Sequence, residues 1–407
     1  MHMLNISNRK PILTIFYQFN PWSSSIGGIQ TIIKTFIKYS PDDFTLRLVG
    51  IGDKKQTIGV WQQAEFKGKL LEFMPLFWLE NDDVRQPIPT SVRYTLSLLN
   101  RNLASDFMHF HRLEPSLATV GWKGDKTLFI HNDLRQQISA ASSKKTILWQ
   151  KFPTIYYALE RSLLGQFDQI FSCNTESTRF YQQRYPKIAN RVSYLNNTVD
   201  NEVFFPLPSE KWNTERKKLA QRLNLADDTR FILFAGRLHP QKNPLLLIQA
   251  IAGLQVPNTH LLIAGDGELR MAIETEISQL NLKDRISLLG SVSQAELSQL
   301  QQTCSVLVLT SLYEGLPLVV LESLACGVPV VTTDCGETPN LLIEGSGLVC
   351  KERTSNAIAA SIAQILMCPE DFPPTACVLA AQPYAAKAVV EKIFEQMLDR
   401  WKFSHAI

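Results

Sequence analysis

Two carboxylates, Glu314 and Glu322, bracket the run Gly315-Leu316-Pro317-Leu318-Val319-Val320-Leu321. Gly315 and Leu316 read as a helix entry. Pro317 suits a first helical position, where its missing N–H costs nothing. The apolar run continues to Ala325, Gly327 ends it, and Val328-Pro329-Val330-Val331 reads as the next buried strand. Eight helical residues span about 12 Å, and the free N–H groups of a helix start attract phosphate. Such an element could hold a sugar hydroxyl at Glu314, a pyrophosphate at Leu316, Leu318 and Val319, and a ribose diol at Glu322. A second segment supplies positive charge. Phe231 to Gly236 has the pattern of a buried strand, Arg237 follows at once, and Lys242 comes five residues later, before Pro244 and a helical run. Cations at the carboxyl end of a strand stand where open α/β sheets bind ligands. Arg offers a planar fork of donors and Lys a mobile point charge, and both suit a diphosphate.

Taken together, these segments resemble the retaining glycosyltransferases of the GT-B fold, family 4, the glycosyl transferases group 1. The resemblance runs through Gly236-Arg237-Leu238 with Lys242, Leu262-Ile263-Ala264-Gly265-Asp266-Gly267, Gly290, Ser311 to Gly315, Glu322, and Gly327 to Val331. Order and spacing match along most of residues 195–350, and the N-terminal half matches more sparsely. The resemblance implies an α/β protein of two Rossmann-like parallel-sheet domains facing a deep inter-domain cleft. Residues 1–203 would bind the acceptor, residues 204–384 the nucleotide-sugar, and residues 385–407 would form a helix crossing back onto the first domain. It also implies a donor that is a nucleotide diphosphate-sugar, UDP-linked by preference and GDP-linked as the second choice, serving as co-substrate with no cofactor. The acceptor would be a saccharide or lipid-linked saccharide in polysaccharide or glycolipid synthesis.

Composition agrees. At 407 residues the chain has room for two or three domains, and 45% hydrophobic residues can fill large cores. No run of 18 uncharged apolar residues reads as a membrane span, and no secretory leader is evident. The seven cysteines lack metal-type spacing, and reduced thiols in the cytoplasm are the simplest account. Residues 1–203 hold 24 Lys+Arg against 17 Asp+Glu, a net of +7, and the remainder carries −4. A basic first half suits an acidic acceptor or peripheral contact with an anionic membrane at its inner face. Nothing suggests nucleic acid as a partner.

Strand and helix patterns alternate along the chain, as a parallel sheet requires. Strands are expected at Pro11–Phe19, Phe44–Gly50, Phe107–His111, Thr127–His131 and Gln169–Cys173, with helices at Ile29–Tyr39 and Thr175–Tyr185. The alternation restarts with strands at Phe231, His260, Arg285 and Ser305, and Ser293 with Glu296 forms a capping box. Tyr384 to Trp401 carries a helical stripe of Val389, Ile393, Met397 and Trp401.

The first half has its own chemistry. Gly27-Gly28 lies between a strand and a helix, where small residues let a backbone N–H approach a phosphate. His131 stands at the end of an apolar strand, in Ile130-His131-Asn132-Asp133, and in the resembled family a histidine near this point meets the transferred sugar. His111, Arg112 and Glu114 resemble an acceptor-side strand end. No Asp-x-Asp motif is present to chelate a metal diphosphate, so Arg237 and Lys242 are expected to stabilise the leaving group in a metal's place. Retention at the anomeric carbon is implied by the resemblance alone. The family's Pro-Asn-Gly-Val-Asp crossing reads Asn196-Asn197-Thr198-Val199-Asp200 here, and loss of the Gly makes a positive-φ turn less comfortable. Two other readings are a silent sugar-nucleotide-binding subunit and a sugar-nucleotide epimerase on the same architecture.

Overall fold

Fourteen strands fall into two sheets in a computed structural model that describes residues 9–22, 27–79, 88–131 and 153–405. The chain divides into two compact units, Met1–Asn196 with Ala386–Ile407, and Asn197–Ala385.

The first unit holds β1 (Ile12–Phe16), β2 (Thr45–Gly52), β3 (Gln62–Phe66), β4 (Lys69–Trp78), β5 (Phe107–Phe110), β6 (Asp125–Ile130), β7 (Gln169–Ser172) and β8 (Val192–Tyr194). Their order is β3-β4-β2-β1-β5-β6-β7-β8. All neighbours are parallel except β3, which pairs antiparallel with β4 at the sheet edge. That hairpin turns through Lys67 and Gly68, both at positive φ, a geometry whose twist matches paired strands. A lysine there gives no turn signal, so the sequence reading passes over the hairpin. The order reverses between β1 and β5, so the loops leaving these two strands diverge.

The second unit holds β9 (Arg230–Ala235), β10 (Thr259–Ala264), β11 (Ile286–Gly290), β12 (Val306–Leu309), β13 (Val330–Thr333) and β14 (Gly347–Cys350). The order is β11-β10-β9-β12-β13-β14, wholly parallel, and it reverses between β9 and β12. Phe231 to Ala235 are buried without alternation, as a strand covered on both faces should be. The expected 203/204 boundary falls instead at 196/197. The intervening segment is bonded into the second unit: Val199 N–H donates to Tyr384 O at 2.9 Å, Ser298 Oγ to Val203 O at 2.6 Å, and Gln302 Nε2 to Phe205 O at 3.0 Å. Thr198 is not among the positive-φ residues, so the missing Gly leaves no strain at the crossing.

The Ala386–His405 helix packs on the first unit. Val389, Val390, Ile393, Phe394, Met397 and Trp401 share one apolar cluster with β1 and β2 side chains. Phe394 stands 5.3 Å from Phe36 and 4.9 Å from Phe44, ring to ring. Arg400 Nε meets Asp125 Oδ2 at 2.7 Å. The expected strands and helices recur with ends shifted by a few residues, while helices Thr90–Leu98 and Pro153–Leu164 add to them. The expected loop at 23–26 and the residues Asn132 and Asp133 lie outside the described residues. No helix among the described residues is long and apolar enough to cross a membrane. Because Phe394 fills a closed cluster, Phe394→Ala should cost about 3–5 kcal/mol, read as a lowered midpoint in denaturant unfolding followed by circular dichroism. An unchanged midpoint would contradict this packing.

Candidate functional site

The site is built at the carboxyl ends of β9 and β12, the two strands flanking the reversal in the second sheet. Gly236 follows β9 with φ +154°, and its N–H donates to Ala264 O at 2.9 Å. The chain leaving β10 passes so close that a Cβ on Gly265 would lie 1.9 Å from Gly236 O. Only glycine permits that approach. Arg237 comes next, exposed and without an ion-pair partner among the described residues. The chain then tightens into a short 3₁₀ turn, Pro240–Lys242, closed by Asn243 at φ +47°.

The loop after β12 is fastened to that turn. Thr310 Oγ1 donates to Lys242 O and Asn243 O at 2.9 and 3.0 Å, Leu312 N–H to Gln241 O at 2.7 Å, and Gln241 Nε2 to Tyr313 O at 3.0 Å. These bonds bring Lys242 Nζ to 2.6 Å from Glu314 Oε1, with both side chains largely buried. Gly336 supports the same loop from β13: a Cβ there would lie 2.5 Å from the carbonyl oxygens of Glu314 and Gly315. Glu337 N–H also donates to Gly315 O.

The helix that follows runs from Leu318 to Ala325, with Pro317 as its extended N-cap. This corrects the expectation that Pro317 is the first helical residue. Leu316 stands before the helix, and its carbonyl accepts Asn197 Nδ2 at 2.9 Å. Glu314 to Pro317 is therefore not helical, and the expected 12 Å helical span does not hold. The ring holds φ at −70°, which a helix would accept, but ψ of 126° keeps Pro317 extended while its C=O still opens the first turn. No side chain caps this helix start, so the leading N–H groups at Leu318 and Val319 remain open to an acceptor. One turn further on, Glu322 is buried without a cation. Burial pushes its carboxyl up to about 7, and hydrogen bonding by Gln301 draws it back. The two glutamates thus differ sharply in environment: one is neutralised by Lys242, the other is isolated.

In the first unit, His111 and His131 follow β5 and β6. Their rings stack at 5.2 Å, with His111 Nδ1 2.9 Å from His131 Nε2. His111 also stacks on Phe129 and meets the edge of Tyr17, beyond β1. It is buried, and it props His131 rather than standing at the surface. Arg112 is half-buried, with an Nε that has no partner among the described residues. Glu114 opens a short 3₁₀ helix. Gly27 caps the Gly28–Lys38 helix in extended conformation, again without a side-chain cap, and Gly28 is exposed. Thus the structure joins Gly236, Arg237, Lys242, Glu314, Gly315, Leu316, Leu318, Val319 and Glu322 in the second unit. It holds Gly27, Gly28, His111, Arg112, Glu114 and His131 in the first. Sequence reasoning passes over Gln241 and Gln301, which look like ordinary surface amides until the fold buries their contacts, and takes Asn197 only as part of the domain crossing. Among the described residues no group of three or more His, Cys, Asp or Glu is placed to hold a metal ion. The seven cysteines are free thiols.

The comparisons with known proteins follow this division. Residues 215–373 match the family model for glycosyl transferases group 1. An Escherichia coli UDP-Gal:alpha-D-GlcNAc-diphosphoundecaprenol alpha-1,3-galactosyltransferase is 35% identical over 133 residues, 31% of this chain and 33% of the relative. Across the curated relatives the match spans between 33% and 42% of their length. Sucrose-phosphate synthase from Thermosynechococcus elongatus superposes with a TM-score of 0.77 at 19% identity, covering 97% of this chain and all of that one. Anabaena HepE in complex with UDP-glucose gives 0.70 at 17%, covering 96% and 100%. These likenesses show the fold, GT-B with two Rossmann-like parallel-sheet domains.

Burial holds the histidines neutral. It lowers His131 to about 4, with the Arg112 charge adding, and His109 on β5 to about 3, with Arg400 adding. It also takes His111 well below its usual range, helped by His131 and His109. The unfolded chain takes up these protons near pH 6.5 and the folded chain only below that, so stability should fall as pH drops from about 6.5 toward about 4. Ring resonances of His109, His111 and His131 should show no protonation between about pH 8 and about pH 5.5. A midpoint near 6.5 for any of them would contradict their burial.

Proposed function

We propose that the chain is a retaining glycosyltransferase that moves a sugar from a nucleotide diphosphate-sugar to the hydroxyl of a saccharide or lipid-linked saccharide, in polysaccharide or glycolipid synthesis. The observation that carries this reading is the Lys242 Nζ–Glu314 Oε1 contact of 2.6 Å at the sheet's reversal, beside an uncapped helix start. Phosphate oxygens fit the donors there: Arg237, Lys242 and the N–H groups of Leu318 and Val319. Glu314 accepts sugar hydroxyls and keeps Lys242 oriented. Glu322 takes the ribose diol. Support also comes from the group 1 match, which spans these residues from Gly236 to Glu322. A UDP-sugar is the favoured donor, in line with the name of the Escherichia coli relative, and a GDP-sugar is the second choice.

In the proposed reaction the bond between the anomeric carbon and the phosphate oxygen breaks. Negative charge grows on the leaving diphosphate, where fixed donors are worth most. The acceptor oxygen bonds to the anomeric carbon from the same face, and its proton passes to the departing phosphate. No metal is required, because the two cations meet the charge. His131, kept neutral, serves the transferred sugar as a hydrogen-bonding group and not as a charge. At Gly27 and Gly28, a second uncapped helix start, the Gly28 N–H is a further donor for the diphosphate. His111, Arg112 and Glu114 belong to the acceptor side, with His111 acting through His131. The protein is proposed to work in the cytoplasm, with the basic first half in peripheral contact with anionic membrane lipid.

Arg237→Ala and Lys242→Ala should each cut turnover roughly 10²–10³-fold, as loss of one transition-state donor does elsewhere. The check is release of nucleotide diphosphate from a panel of UDP- and GDP-sugars with saccharide acceptors. Wild-type turnover in both variants would remove the clamp. A chelator should leave the wild-type rate unchanged in the same assay. Loss of activity restored by Mg²⁺ would show that a metal, and not these cations, carries the leaving group.

A further inference from the structure

Three carbonyl groups in a row lead into the Leu318–Ala325 helix, and each accepts from a different source. Gly315 O takes Glu337 N–H at 2.8 Å, Leu316 O takes Asn197 Nδ2 at 2.9 Å, and Pro317 O takes Val320 N–H at 3.2 Å. Only the last of these bonds belongs to the helix. The middle one comes from a side chain 119 residues away in sequence. Asn197 and Leu316 are both buried, so their bond is shielded from water.

Leu316 O has a partner closer in sequence that it does not use. Val319 N–H lies three residues on, the spacing of a 3₁₀ turn. That bond would lengthen the helix by one residue and put Pro317 at the first helical position, which proline favours. The φ of −70° at Pro317 already fits such a helix, and only its ψ of 126° stands against it. A buried carbonyl left without a donor is costly. Leu316 O must therefore take either the Asn197 amide or Val319 N–H, and the choice decides whether Val319 N–H is free.

Asn197 is itself held in place. Two residues on, Val199 N–H donates to Tyr384 O, and Val199 forms a bridge with Ala385. Val203 O and Phe205 O accept from Ser298 and Gln302 of the Gln294–Thr303 helix. Gln301 of that helix donates to Val319 O at 3.1 Å. The segment that carries Asn197 and the turn that carries Val319 are thus fastened to one helix.

We propose that Asn197 is a positioning residue for the diphosphate: by occupying Leu316 O it stops the helix one residue short and leaves Val319 N–H free for a phosphate oxygen. This rests on the reading of the Leu318 helix start as the diphosphate site. Asn197 touches no substrate in this account and acts through the Leu316 carbonyl alone. The NH₂ of an amide donates without bringing a charge beside Lys242 and Glu314. The same bond overrides proline's preference for the first helical position.

NMR of the whole chain labelled with ¹⁵N-valine reads the Val319 amide, and calorimetry reads the affinities of UDP and uridine. In the empty wild type Val319 N–H should exchange readily with solvent, and its resonance should move when UDP is added. In Asn197→Ala, Leu316 O captures that N–H, so its exchange should slow. UDP should then bind roughly ten- to hundredfold more weakly, the loss of one donor to a charged group, with uridine affinity unchanged. Asn197→Asp keeps the side-chain volume and replaces the donor with an acceptor, so it should lose at least as much. Wild-type UDP affinity in Asn197→Asp would make Asn197 a filler of space and overturn the inference. An equal loss of UDP and uridine, or faster exchange at Val319, would mean that the variants loosen the whole region, and also overturns it. Either result leaves the site reading standing if UDP still moves the wild-type resonance. If Asn197→Ala does not fold, as circular dichroism would report, Asn197→Asp carries the same readings. If neither folds, slow exchange of Val319 N–H in the empty wild type overturns the inference, and ready exchange supports it. A wild-type Val319 resonance that UDP leaves unmoved overturns the diphosphate reading and this inference with it.

Discussion

The contact between Lys242 and Glu314 joins two loops separated by 72 residues of sequence. A carboxylate as buried as Glu314 is costly to leave unpaired, so the loops after β9 and β12 must arrive together. The bonds from Thr310, Leu312 and Gln241 serve that end. Gly265 and Gly336 remove the Cβ atoms that would hold the same chains apart. The reversal of strand order between β9 and β12 is what makes the two loops neighbours.

From that junction the chain runs directly into the Leu318 helix start and on to Glu322. Two carboxylates eight positions apart are thereby given opposite conditions. Glu314 has a lysine at 2.6 Å, whereas Glu322 is buried without a cation and its carboxyl is pushed up to about 7. A charged group fixed beside a cation suits sugar hydroxyls near a diphosphate. The first unit applies the same economy to its histidines. Their burial against Phe129 and one another keeps them neutral and leaves hydrogen bonding as their role.

Much of the second unit is legible in the sequence, because its strands are unbroken apolar runs and its loops begin with glycines. Arg237, Lys242, Glu314 and Glu322 can be picked out by type and spacing, and the structure brings them to one end of one sheet. The start of the Leu318 helix is not legible because the proline ring fixes only φ, at a value that suits the first turn as well, and it is the extended ψ of 126° that leaves Pro317 as the N-cap. Gln301 is not legible, since an amide on a polar helix face carries no mark of the backbone carbonyl, Val319 O, that it will meet. The edge hairpin β3–β4 was missed because Lys67 takes a backbone conformation usually given to Asn or Gly. The pairing of His111 with His131 depends on two adjacent strands, β5 and β6, and no local pattern encodes that neighbour relation.

The central claim is that a nucleotide diphosphate rests between Lys242 and the opening turn of the Leu318 helix. A crystal structure of the protein with UDP tests it most directly. The account predicts diphosphate oxygens within hydrogen-bond distance of Lys242 Nζ and of the N–H groups of Leu318 and Val319, with the ribose hydroxyls on Glu322. A diphosphate bound away from both Lys242 and this helix start would contradict it.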